Sequence, residues 1–203
     1  VKAVRNCNKK QYLTAFFRRV TYSTKKYKTK EGIFMWLLCD CQGQNTTELL
    51  NFCRDNLPED IRTGICMPTY DSMKKYQGSW HIEEKTVFPE YFLIKESQRE
   101  TLRNAFAQWP YTESFCSSIA ETSTQLLPEQ EKLLQSFLGK ENHMKMSAGY
   151  IKDGTAFITQ GPLQGKEKMI RKIDRHKRLA RLEIPIGDKF REIRAGLEIT
   201  SKS

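Results

Sequence analysis

The chain has 203 residues, enough for one large domain or two small ones, and its 38% hydrophobic and 29% charged content is ordinary for a globular protein. No apolar stretch approaches the ~20 residues needed to cross a bilayer, and no apolar segment with a cleavage site follows the basic N-terminus, so the expected location is the cytoplasm, away from any membrane. The formal net charge is +10, and it is unevenly spread. Residues 1–34 hold ten Lys/Arg and one acid, residues 35–147 hold eleven bases and sixteen acids, and residues 148–203 hold thirteen bases and seven acids. An acidic stretch followed by a basic one suggests two domains with different partners, the basic one a candidate for nucleic acid.

Residues 1–34 show no clear apolar period. They end in Lys30-Glu31-Gly32-Ile33-Phe34-Met35, whose codons can spell a purine-rich ribosome-binding sequence ahead of Met35. The leader is therefore read as upstream sequence, non-native or disordered, with translation starting at Met35. The competing reading is a basic arm that binds nucleic acid. Residues 34–40 are apolar and aromatic, as in a buried strand. Asn45-Thr46-Thr47-Glu48 supplies N-cap chemistry for a helix carrying Leu49, Leu50 and Cys53 and closing near Pro58. Residues 61–70 read as a second strand, residues 73–78 as a hairpin arm and turn, and residues 80–85 as a polar strand. Residues 88–94 form a turn leading into an apolar strand. Ser97 caps a helix with Leu102 and Phe106 on one face, and Pro128 opens another with Leu133, Leu134, Phe137 and Leu138 as its stripe, ended by Gly139.

Residues 140–147 are polar and are expected to link two domains. Beyond them five short strands are expected over residues 156–159, 168–173, 179–184, 190–193 and 197–200, with turns at Gly161–Gly165 and Asp174–Lys177. That pattern suggests a small barrel. The six cysteines include no Cys-x-x-Cys pair, so zinc-finger spacing is absent; Cys39 and Cys41, two apart on a strand, are expected to share one buried face.

The sharpest motif is a basic run in which Lys166, Lys168, Arg171, Lys172, Arg175, Lys177, Arg178 and Arg181 face only Glu167 and Asp174. A hairpin arm would present such charges in a row to phosphates, and its arginines could stack on unpaired bases. The bland alternative is a solvated sheet face. His176 adds a pH-dependent donor or is a plain polar turn residue. Phe88, Tyr91 and Leu93 form a second set, open to being core or, if exposed together, a surface for a protein partner. Catalytic chemistry is not indicated. Glu83 and Glu84 point to opposite faces of a strand, His81, His143 and His176 have no Cys or Ser motif beside them, and Gly161–Gly165 lacks the Gly-Lys-Ser/Thr ending of a phosphate loop. No enzyme activity, cofactor or metal is expected.

Several of these pieces together resemble the NusG family of transcription elongation factors, most closely its specialised LoaP branch. Met35-Trp36-Leu37-Leu38 followed by a helix is similar to the start of that family's N-terminal domain. Val87-Phe88-Pro89-Glu90-Tyr91-Phe92-Leu93-Ile94 looks like its Leu-Phe-Pro-Gly-Tyr strand entry, with Glu90 in place of Gly. Gly161-Pro162-Leu163-Gln164-Gly165 resembles the KOW motif, with Lys168 replacing a second family Gly. Ile173-Asp174-Arg175-His176-Lys177-Arg178 looks like the signature of the LoaP branch. The resemblance implies an α+β chain: a mixed α/β NusG-type domain over residues 35–139, the linker 140–147, and an SH3-like β-barrel, the KOW domain, over 148–203. It implies that the first domain grips the clamp helices of RNA polymerase, with Phe88, Tyr91 and Leu93 as the contact. The barrel would meet RNA, a structured nascent leader, or another factor such as a ribosomal protein. The bound factor would then suppress termination in long operons. The alternative is a ribosome-associated KOW protein that binds rRNA without touching polymerase.

Overall fold

The computed structural model describes residues 36–41, 43, 46–108 and 123–203. The leader 1–34, the start at Met35 and the Asn45 cap lie outside them. Among the described residues the chain is α+β, with three sheets. Among the described residues no helix is long and apolar enough to cross a membrane.

The first sheet has the order β2 (Ile65–Cys66), β5 (Tyr91–Lys95), β1 (Trp36–Asp40), β6 (Thr124–Gln125), with every pair antiparallel. Successive side chains of a strand alternate between faces. Leu37, Cys39, Phe92 and Ile94 therefore go to one side. There they pack with Leu49, Cys53 and Leu57 of α1 (Thr46–Asn56) and the segment after it, and with Leu102 and Phe106 of α3 (Arg99–Ala107). A single turn of helix, α2 (Glu59–Arg62), bridges to β2. Leu38 and Leu93 go to the other side, against Leu134, Phe137 and Leu138 of α4 (Pro128–Leu138).

Cys39 and Cys41 share the helix-covered side, as their spacing predicts, and Cys53 lies in the same cluster. Burial pushes the thiols of Cys39, Cys41, Cys53 and Cys66 from 9.0 up to about 12. The folded state thus holds protons that the unfolded chain releases. Stability from these groups is complete below the unfolded value and falls as pH rises between 9.0 and about 12. Each thiol contributes a slope of about 1.4 kcal/mol per pH unit in that window. Urea titrations across the window should show a shallower loss for Cys39→Val than for the parent; an identical slope would mean that Cys39 ionises freely in the fold.

The second sheet is a hairpin of β3 (Thr69–Tyr76) and β4 (Ser79–Thr86), joined by Gln77 and Gly78 at φ 50° and 79°. Two successive left-handed residues make the tight turn whose twist matches a two-residue hairpin, and Gly78 takes the second position at no steric cost. β7 (His143–Met144) runs parallel to β3 in the same sheet.

The third sheet has the order β10 (Ile170–Asp174), β11 (Leu179–Ile186), β12 (Lys189–Lys202), β8 (Ser147–Lys152), β9 (Thr155–Gln160). β12 is a single strand of 14 residues where two short ones were expected. Its first half pairs antiparallel with β11 and its second half parallel with β8. β8 was not anticipated. The sheet is open: among the described residues no ladder joins its edges β9 and β10, so the expected closed barrel is not observed.

The polar stretch 140–147 is not a free connector. Met144 and Ser147 are fully buried. His143 Nδ1 lies 2.9 Å from Thr69 Oγ1 and its Nε2 lies 2.9 Å from Asp71 Oδ1. The other oxygen of Asp71 accepts the Met146 N–H at 2.7 Å. On the far side, buried Gln130 accepts the Leu127 N–H of its own helix start. It also exchanges two hydrogen bonds with Gly187 in the β11–β12 turn, at 2.8 and 3.2 Å. One core consequently runs from Leu38, Leu93 and Phe137 to Ile184, Ile193 and Leu197, and the two halves of the chain share it.

Candidate nucleic-acid interface

The basic run maps onto β10, β11 and the turn between them. Asp174 pairs with Leu179, leaving four residues in the loop. The Asp174 carboxylate accepts the Lys177 N–H at 3.0 Å, and the Arg178 N–H reaches the Arg175 carbonyl at 3.3 Å. This is the local bonding that makes Asp a turn former. Arg178 completes the loop in the left-handed region, at φ 48°. Its carbonyl accepts the Leu197 N–H at 2.9 Å, anchoring the loop to β12.

The nine expected RNA contacts separate into two groups. Lys168, Lys172, Arg175, His176 and Lys177 are exposed, and their side chains have no hydrogen bond or ion pair among the described residues. The other four are engaged. Arg171 pairs with Glu183 at 2.9 Å and Arg181 with Glu192 at 3.4 Å. Arg178 reaches Glu198 at 3.1 Å, and its guanidinium lies 4.3 Å from the centre of the Trp80 ring. Lys166 is turned inward: its ammonium donates to the Pro162 carbonyl at 2.8 Å and to Ser136 of α4 at 3.4 Å, and sits 4.9 Å from the Phe137 ring centre. Desolvation lowers its pKa. Lys166 and Arg178 thus act as internal ties, each finding carbonyl, carboxylate or aromatic partners in the other half of the chain or on β12, and are less available to a ligand than the exposed five.

Alternation explains the division on the strands. Ala180, Leu182, Ile184, Ile193 and Ala195 face inward and are buried. The outward row alternates sign: Arg181 stands opposite Arg194 and Lys172, while Glu183 stands opposite Glu192 one step along. Acids interleaved with bases offset part of the field of the strand faces, with Lys172 left unpaired among the described residues. The turn has no such partners, so the uncompensated charge gathers at its tip. Exposed ion pairs are worth little to stability, but they set which cations are available to a ligand.

The aromatic set falls differently. Phe88 is 4% exposed and Leu93 is 2% exposed, both in the shared core. They do not form an outward patch: Leu93 lies on β5, an interior strand covered on both faces, and Phe88, in the turn before it, packs into the same core. Tyr91 alone is partly exposed, with the Arg191 guanidinium 4.2 Å from its ring centre. A shallow groove of about 290 Å³ runs between residues 87–91 and 190–192. Glu90 occupies its turn without a left-handed φ; the Tyr91 N–H closes onto the Phe88 carbonyl at 3.3 Å, so the turn needs no glycine at this position.

Two residues join the candidate site from outside the motif. Trp80 supplies the platform for Arg178, and exposed Lys75 is its cross-strand partner. A Trp in an otherwise polar strand was the available signal, but its use depends on a contact with a residue 98 positions away. Comparison with models of known protein families and with characterised proteins finds no match for this sequence.

Proposed function

We propose that this chain is a cytoplasmic transcription elongation and antitermination factor of the NusG type, close to the LoaP branch, and that it works by binding RNA polymerase and nascent RNA together. The single observation that carries the RNA half is the uncompensated cationic turn around Arg175, His176 and Lys177, flanked by Lys168 and Lys172. Phosphate contacts supply most nucleic-acid affinity, and a protruding turn delivers its charges past the sheet face. A mixed α/β half followed by a five-stranded sheet, open among the described residues, is what supports reading a NusG-type domain followed by a KOW domain. The N-terminal half would grip the clamp helices, and Tyr91 is the accessible member of the aromatic set. Binding that favours the elongating state over the paused one shifts the population without any chemistry by the factor.

The test is transcription with purified polymerase on a template carrying a leader and a terminator. Added protein should bind the elongation complex and raise read-through. Association with ribosomal subunits and none with polymerase would overturn the reading in favour of a ribosome-bound RNA-binding protein.

A further inference from the structure

The cationic turn does not stand alone on its sheet. Arg178, its last residue, lies between Trp80 of β4 and Glu198 of β12, so the tip is moored to the β3–β4 hairpin. The hairpin is itself fixed in place. Gly196 of β12 approaches β3 so closely that an added Cβ would fall 2.4 Å from the Asp71 carbonyl oxygen. In the hairpin register Lys75 pairs with Trp80 and Met73 with Ile82, and cross-strand partners share a face. That face presents Lys75, partly exposed Trp80 and Ile82, which is 61% exposed. On the opposite face Lys74 and Lys85 are drawn to Glu83, at 3.1 and 3.9 Å. Further along the Lys75 face, Asp71 and Glu84 are taken up by His143, Thr69 and the Met146 N–H. Lys75, which has no hydrogen bond or ion pair among the described residues, is the available cation on the side where Arg178 brings in the turn.

We propose that RNA is held across both halves of the chain, passing from the turn at Arg175–Lys177 onto the Lys75–Trp80 face of the hairpin. The inference rests on the RNA reading above and narrows its ligand to an unpaired segment, such as the loop of a stem-loop. Bases in a duplex are already stacked and their faces are closed, whereas loop bases can splay out onto an aromatic ring. Cations bordering an indole provide what single strands bind: charge that tracks the backbone and a π-surface that accepts any base. Arg178 acts as a positioning residue, holding the two surfaces side by side.

The test uses the full chain and two fluorescent RNAs, a stem-loop with a wide mixed-sequence loop and a blunt duplex, titrated at several salt concentrations. Trp80→Ala should weaken the stem-loop roughly tenfold and the duplex little, and Trp80→Phe should recover part of the loss. Lys75→Gln, a surface change that leaves the fold intact, should flatten the stem-loop salt slope by about one contact. Parental binding by Lys75→Gln and Trp80→Ala, with binding weakened by the Arg175→Gln/Lys177→Gln double variant, would overturn the two-part site and leave the RNA reading standing. Parental binding by the double variant as well would overturn both.

Discussion

Replacing Lys168, Lys172, Arg175 and Lys177 together with Gln should lower RNA affinity on the order of a hundredfold at low salt, and should remove most of its salt dependence. These four are the exposed cations of the run that lack a carboxylate or carbonyl partner among the described residues. Each phosphate neutralised on a single strand contributes about −0.7 to the slope of log affinity against log salt, so these four contribute about −3 to the parental slope. Arg171→Gln and Arg181→Gln should change that slope far less, because Glu183 and Glu192 already spend those charges within the fold. Lys166→Gln should leave it unchanged, since that ammonium is bound to the Pro162 and Ser136 carbonyls. All of the substitutions at exposed positions should preserve the melting temperature. Gel-shift titrations over a salt series check every arm. A four-site variant that binds as tightly as the parent would move the contacts elsewhere and remove the main support for RNA as the ligand.

This division within a single basic run marks where sequence stops being informative. The turn itself was legible, because Asp174 makes its bond three residues away and the charge is local. Which cations remain free was not, because that depends on Trp80, Ser136, Glu192 and Glu198, brought together by tertiary packing. The same limit hid β8. It buries Ser147 and Gly149, and Gly149 is small because a Cβ there would fall 2.1 Å from the Phe157 carbonyl oxygen. Residues selected for close approach leave no hydropathy signal. Residues 140–147 looked like a linker because their polar groups are satisfied by Asp71 and Thr69, more than seventy positions away. Phe88 and Leu93 show the reverse error. Their apolar character alone was compatible with core, and the family likeness moved them to the surface; a second covering layer, contributed by α4 and the C-terminal strands, keeps them inside.

That covering layer makes Gly196 a sensitive position in the fold. Its backbone lies against β3, and an added Cβ would come within 2.4 Å of the Asp71 carbonyl oxygen and 2.6 Å of the Met146 sulfur. The sulfur ends a flexible side chain and can swing aside. The carbonyl belongs to a strand paired on both sides and cannot. Gly196→Ala must therefore push β12 away from β3, and the movement also strains the Asp71 bonds to His143 and to the Met146 N–H. Overpacking of this kind costs on the order of 3 kcal/mol. For a chain of this size that corresponds to a fall in melting temperature of roughly 10 °C. Adding Met146→Ala should give little relief, since it removes only the yielding neighbour. Because β3 carries Lys75 and β12 carries Glu198, the partner of Arg178, the displaced chain should also bind a stem-loop RNA more weakly at temperatures where it remains folded. Thermal melts of the single and double variants decide the matter. A parental melting temperature for Gly196→Ala would show that β12 and β3 are not in contact, and full rescue by Met146→Ala would assign the clash to the side chain instead of the strand.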